Sequence, residues 1–155
     1  MKKIYTKEGT EVLVDDEDFE YLNQFTWCMA KRYVRTLIQN KSFYLHKLVL
    51  HASSEVVVDH IDLNQLNNQK SNLRICTKLE NARNRGLDKR NKSGYKGVGW
   101  YERNKKWRAS ICVSRKVKWL GLYSDPIEAA MAYDMAAKKY YGEFAKTNKD
   151  LGLLN

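Results

Sequence analysis

Val56-Val57-Val58-Asp59-His60-Ile61, followed by a polar stretch from Asp62 to Lys70 and then by Ser71-Asn72-Leu73-Arg74-Ile75-Cys76, decides how the chain is read. Two short apolar runs flank a segment rich in Asn and Gln, so the pattern predicts two strands joined by a turn-rich loop. Thr77-Lys78-Leu79-Glu80 comes next. A Thr and a Glu three apart form a capping box, in which Thr77 caps a helix and Glu80 reaches back to it. That helix is expected to run through Asn81, Ala82 and Arg83 to about Arg85. The order strand, loop, strand, helix places Asp59 and His60 at a strand end and Asn81 on the first helical turn, where the three can converge.

A carboxylate and an amide carbonyl are hard oxygen donors, suited to a magnesium-like cation that completes its shell with waters and phosphate oxygens. Such an ion polarises a phosphate and offsets charge on the leaving oxygen, while a neutral imidazole at His60 accepts a proton from the attacking water. The ordinary pKa of His, close to neutrality, suits that role. Asn72 fits a brace that pins the loop or orients the imidazole.

On these residues, the segment from about Leu45 to Arg85 resembles an HNH endonuclease of the phage and homing-type branch. Asp59-His60 matches the first part of the motif, Asn72 in Ser-Asn-Leu-Arg the middle, and Asn81 the last position. The resemblance implies a ββα-metal fold and hydrolysis of a phosphodiester. It also implies one catalytic Mg2+ or Mn2+ held by Asp59 and Asn81, with His60 as general base; Asn72, the brace, is grouped with His60 as a candidate catalytic residue. Zinc-stabilised relatives carry paired Cys-x-x-Cys motifs, whereas Cys28, Cys76 and Cys112 are isolated here, so no structural zinc is expected. Arg74 is a candidate phosphate contact. His46, in a short helix or strand from Leu45 to Leu50, either touches a phosphate or packs as a structural residue, and His51 reads as structural.

The second half differs in charge. Residues 83–118 carry thirteen Lys or Arg against Asp88 and Glu102, a net of +11, whereas the whole 155-residue chain is +10. Residues 1–82 balance eleven basic against eleven acidic side chains. A solvated face normally mixes signs, so this stretch reads as a footprint for a polyanion. Within it lie three aromatic-laced strand candidates, Tyr95 to Tyr101, Lys106 to Val113 and Val117 to Tyr123. Alternation along the middle one puts Trp107, Ala109, Ile111 and Val113 on a packing face and Arg108, Ser110 and Cys112 on the other. Asp125-Pro126-Ile127-Glu128 then opens a helix, with Asp125 as cap and proline at its first position. Its small and aromatic stripe runs from Ala129 to Tyr140, and Gly142 stops it.

Tyr95-Lys96-Gly97-Val98, Lys106-Trp107-Arg108-Ala109, Trp119-Leu120-Gly121 and the Ala-rich helix resemble an AP2 DNA-binding domain over about Ser93 to Asn148. The resemblance implies a three-stranded antiparallel sheet backed by a helix, with the sheet in the major groove. Its implied DNA contacts are Lys96 (to phosphate), Tyr101, Arg103, Arg108, Lys118 and Trp119. Plant members of the family place a Glu and an Arg where this chain has Ser110 and Cys112, so their target sequence does not carry over.

The expected fold class is therefore α+β: an HNH module with a β-rich N-terminal extension (1–85), a basic linker (86–94) and an AP2-like domain (95–148). Val12-Leu13-Val14 reads as a strand, Asp15 to Glu20 as an acidic turn or helix start, and Phe25 to Met29 with Tyr33 to Leu37 as a hairpin. No apolar run is long enough to span a membrane, and no signal-like segment follows Met1-Lys2-Lys3. Isolated cysteines suit a reducing cytoplasm. The expectation is a monomeric, metal-dependent endonuclease that nicks double-stranded DNA near a site bound by the AP2-like domain, needs no small-molecule cofactor and has no membrane partner. The alternatives are a non-catalytic DNA-binding regulator on an HNH scaffold and an RNA-directed protein. The narrow major groove of A-form RNA disfavours the last of these.

Overall fold

The computed structural model describes residues 1–154, which form two compact units, one from Met1 to Asn81 and one from Ala82 onward. In the first, β1 (Lys2–Tyr5) and β2 (Glu11–Val14) make an antiparallel hairpin, followed by α1 (Asp16–Leu22). Next come β3 (Cys28–Ala30), β4 (Tyr33–Ile38) and β5 (Lys41–Tyr44), an antiparallel sheet in sequence order, and the short helix α2 (Leu45–Val49). The motif follows as β6 (Val57–His60) paired antiparallel with β7 (Leu73–Cys76), then α3 (Lys78–Arg83).

One apolar core holds these pieces together. Ile4, Val12, Val14, Leu22, Val34 and Leu45 are all within 1% of full burial, and Val58 and Leu73 carry the motif strands into the same cluster. Trp27 is buried with them, and its indole N–H donates to the Leu22 carbonyl at 2.9 Å, so the ring brings no unpaired donor inside. The capping box forms as expected: the Glu80 N–H donates to Thr77 Oγ1 (3.2 Å) and the Thr77 N–H to Glu80 Oε2 (2.8 Å).

In the second unit, β8 (Val98–Tyr101), β9 (Lys106–Val113) and β10 (Lys116–Tyr123) form an antiparallel sheet with β9 in the middle, backed by α4 (Pro126–Tyr141). The alternation read from β9 holds: Ala109 and Ile111 are buried, Arg108 and Ser110 half-buried and Cys112 exposed. Asp125 caps α4 by accepting from the Ile127 N–H at 2.8 Å. Ala129, Ala130 and Ala137 are fully buried, which lets the helix lie close to the sheet.

The first strand is shorter than the expected Tyr95 start because Gly97 turns the chain before it, at φ +78. Tyr133 of α4 fills the space that a side chain there would need: a Cβ on Gly97 would fall 1.9 Å from the Tyr133 ring. A second tie joins the helix to the C-terminal segment and the sheet entry. Asp134 accepts from the Asn148 backbone (2.7 Å) and side chain (2.8 Å), while Asn148 Oδ1 accepts from the Lys96 N–H at 2.6 Å. Gly97→Ala should destabilise this unit by about 2 kcal/mol or more, through both φ strain and the clash. Chemical denaturation followed by Trp fluorescence should show a lowered midpoint, and an unchanged midpoint would contradict the packing described.

Candidate functional site

The β6–β7 register sets Asp59 opposite Arg74 and His60 opposite Leu73. Asp59 is 3% exposed, and a buried carboxylate demands a matching cation. Arg74 supplies it, donating from Nε (2.9 Å) and Nη2 (2.8 Å) to Asp59 Oδ2. Arg74, a candidate phosphate contact, here clamps the carboxylate.

Residues 61–72 connect the two strands, and side-chain bonds shape them as Asx-type turns do. Asp62 accepts from the Asn64 N–H, the Asn67 amide and the Asn72 amide, each at 2.8 Å. Burial pushes the Asp62 carboxyl up, but these bonds outweigh it and hold the group below its ordinary range. Asn72 uses both amide protons on the loop (Asp62 Oδ1 and Asn67 O, 2.8 Å each), and its Oδ1 accepts from the Asp62 N–H at 3.0 Å. In this geometry Asn72 ties the loop together.

His60 is 4% exposed, and its Nε2 lies 3.3 Å from Asn68 Oδ1. Burial lowers its pKa, and the Asn68 contact with the nearby Asp62 and Asp59 charges offsets only part of that. His46 from α2 packs edge-on against it, ring centroids 5.3 Å apart. Tyr33 of β4 and Tyr44 of β5 complete an aromatic wall, at 5.2 and 5.7 Å from the His46 ring. Burial lowers the His46 pKa to about 4, and the neighbouring His60 and Lys47 push it the same way.

Asn81, on α3, shares a cleft of about 440 Å³ with His46, Tyr33, Tyr44, Lys47, residues 54–58 and Lys78. Asp59 and His60 do not line that cleft, so it does not bring together the two oxygen donors that the sequence reading names, the Asp59 carboxylate and the Asn81 amide. Among the described residues, no cluster of three His, Cys, Asp or Glu side chains forms a ready-made metal cage. A hard divalent ion that keeps several water and phosphate ligands matches such a donor set.

In the second unit, the face turned away from α4 carries Gly99 and Tyr101 from β8, Arg108 and Ser110 from β9, and Trp119 from β10. Trp119 is 54% exposed; Tyr101 stands edge-on to it at 5.3 Å, and the Arg108 guanidinium lies 5.1 Å from its ring centre. Among the described residues, Arg108 Nε is buried with no hydrogen-bond partner. Arg103 lies in the exposed turn between β8 and β9.

Two residues expected as DNA contacts are engaged within the chain. Lys96 Nζ donates to the carbonyls of Arg83 (3.1 Å), Arg85 (2.7 Å) and Lys146 (2.9 Å), and a lysine has only three N–H donors. Burial lowers its pKa to about 8, and it acts as an internal strut. Lys118 pairs across from Ile111 on the helix side of the sheet, with its ammonium 5.2 Å over the Tyr140 ring.

Sequence reasoning missed Asn68, Tyr33 and Tyr44. Asn68 sits in a run whose composition signals only turns, and the tyrosines reach the site from strands remote in sequence.

Residues 53–83 match the family model described as HNH endonuclease. The chain is 28% identical over 148 residues to an uncharacterized HNH endonuclease of Acanthamoeba polyphaga mimivirus, covering 92% of this chain and 76% of that protein. It is 36% identical over 100 residues to an ethylene-responsive transcription factor of Arabidopsis thaliana, covering 61% and 60% of the two chains. An AP2-like ethylene-responsive transcription factor of the same plant is 43% identical over 61 residues, which is 38% of this chain and 18% of that one. The chain thus spans less than two thirds of either plant relative, and its arrangement is HNH plus AP2-like.

The His46 environment has a measurable consequence. With a folded pKa below the unfolded value near 6.5, the unfolded chain binds the proton first, so stability is full above about 6.5 and falls as pH drops towards 4. Over that interval His46 should remove roughly 3 kcal/mol. Thermal unfolding at stepped pH should decline more steeply for wild type than for His46→Phe, and parallel curves would contradict the assignment.

Proposed function

We propose that this chain is a metal-dependent DNA endonuclease that nicks duplex DNA near a site held by its AP2-like half. The observation that carries the reading is a buried imidazole, His60, kept neutral by its surroundings and adjacent in sequence to a carboxylate clamped by Arg74. A neutral imidazole can take a proton from water at physiological pH; a charged one cannot. A bound Mg2+ or Mn2+ would supply charge stabilisation at the phosphate and the leaving oxygen.

Asp59 and Asn81 are the residues proposed to hold that ion, and Arg74 fixes the carboxylate's rotation. Asn72 holds the loop that carries His60. Arg108, Tyr101 and Trp119 are proposed to face the bases, since a guanidinium beside an exposed indole offers donors and an apolar surface together. Arg103 fits a backbone contact. One set of catalytic residues per chain favours a nick over a double-strand cut, and fits a monomer that acts on one strand at a time.

One observation favours a second reading. Asp59 already has a cation in Arg74, so a protein that binds DNA without cutting it would keep the same ion pair as a structural device.

Supercoiled plasmid carrying DNA from the source genome, incubated with Mg2+ or Mn2+, separates the two. Open circles from wild type and none from His60→Ala, with DNA affinity kept within a few-fold, is the expected result. Specific retention without scission in either ion would establish the regulator instead. Arg108→Ala should weaken binding by roughly tenfold to a hundredfold in a filter or mobility assay while leaving the thermal midpoint of the protein nearly unchanged. Unaltered affinity would remove the outward sheet face from the interface.

A further inference from the structure

Residues 66–68 are loop by composition but strand by bonding. The Leu13 N–H donates to the Leu66 carbonyl and the Asn68 N–H to the Leu13 carbonyl, each at 2.8 Å, so this short run lies parallel to β2. Just beyond β2, the Asp15 carboxylate accepts from the Gln69 amide (3.1 Å) and the Lys70 N–H (2.7 Å). Val12 and Val14 anchor β2 itself in the core at 0% exposure. Asn68, 1% exposed, is therefore held from both sides by the N-terminal hairpin and its exit.

The side chain of Asn68 has only one sensible orientation. Its Nδ2 donates to the Gln65 carbonyl at 3.1 Å, and a flipped amide would set two acceptor oxygens against each other. Oδ1 then faces His60 Nε2 at 3.3 Å. An amide oxygen only accepts, so the ring nitrogen opposite it has to carry the proton. A neutral imidazole has one N–H, which leaves the lone pair on Nδ1.

We infer that Asn68 is a positioning residue of the site: it locks the His60 ring in the tautomer protonated on Nε2, with Nδ1 as the basic nitrogen, and the β1–β2 hairpin holds Asn68 in place. The step from tautomer to chemistry rests on the reading of His60 as the general base. The tautomer itself does not.

The test uses the full chain labelled with 15N. Long-range 1H–15N correlation spectra of its three histidines, with His60 assigned by loss of its signals in His60→Gln, report which ring nitrogen is protonated. Recorded at about pH 8, where an imidazole is neutral, wild-type His60 should show a protonated Nε2 and an unprotonated Nδ1. In Asn68→Ala the two nitrogens should move towards the averaged values of exchanging tautomers. Its nicking kcat should fall about tenfold to a hundredfold with KM little changed.

A wild-type ring protonated on Nδ1 would overturn the proposal without any variant, and so would an Asn68→Ala spectrum identical to wild type. The wild-type spectrum also keeps the test decisive where Asn68→Ala does not fold. Because it needs neither DNA nor metal, a wild type that shows the Nε2–H ring yet leaves plasmid uncut would sustain the positioning role and remove only the assignment of His60 as base.

Discussion

A carboxylate taken almost wholly out of water has to be met by a cation, and in the first unit that requirement fixes what surrounds it. Asp59 is met by Arg74 directly across the β6–β7 ladder. A slip of one residue would turn Asp59 to the opposite face and strip it of its partner. Leaving one such buried charge unmatched costs about 3–5 kcal/mol, a large share of the stability of so small a unit. The ion pair therefore holds the register, and the register sets His60 opposite Leu73. With its two ends fixed, the loop of residues 61–72 can close on itself through Asp62 and Asn72. The imidazole that follows the carboxylate inherits its position from the pair, although the two groups differ in how burial treats them: the carboxylate gains a cation, and the imidazole is kept neutral.

What the sequence disclosed follows from which interactions are local. The strand, loop, strand and capped helix of the motif rest on spacing within a few residues, and so do Asp125 and Pro126 at the start of α4; all of these were legible. The partner of His60 was not. Asn68 is one of several polar residues in a run where turn chemistry explains each of them equally well, and only the pairing of residues 66–68 with Leu13, more than fifty positions away, makes it rigid. The acidic stretch from Asp15 to Glu20, expected as a turn or helix start, is the start of α1, with Asp15 just ahead of its first turn. Yet the Asp15 carboxylate serves the distant loop at Gln69 and Lys70 rather than capping its own helix, which no local rule predicts.

The second unit teaches the same point about charge. A count of basic residues reports the field around a surface, not which ammonium groups are available to a ligand. Lys96 occupies the position that a family resemblance would give to a phosphate contact, but the chain leading into β8 passes beside the backbone of residues 83–85 and Lys146, and its three donors close on those carbonyls. The Asp134–Asn148 tie fixes that same stretch from the helix side, so the Lys96 backbone and side chain are both structural. Lys118 differs in kind: strand parity alone puts it with Ile111 on the helix face. Parity was applied to β9 in reading the sequence, and carrying it across the ladder to β10 would have found this.

With those two ammonium groups off it, the outward face of the sheet is less a cationic surface than a mixed one, built on Arg108, Tyr101 and Trp119 around a glycine at position 99. Gly99 has open space where a side chain would stand, directly across the ladder from Arg108. On the reading proposed above, nonspecific attraction comes from the basic turns, with Arg103 and Lys105 between β8 and β9 and Arg115 between β9 and β10, followed by Lys116 at the start of β10, whereas discrimination falls to the few polar atoms of the flat face. Ser110 and Cys112 then mark where this chain's choice of sequence departs from that of the plant family, because they stand on the same face of β9 as Arg108 and present short side chains, which leave reach to their larger neighbours.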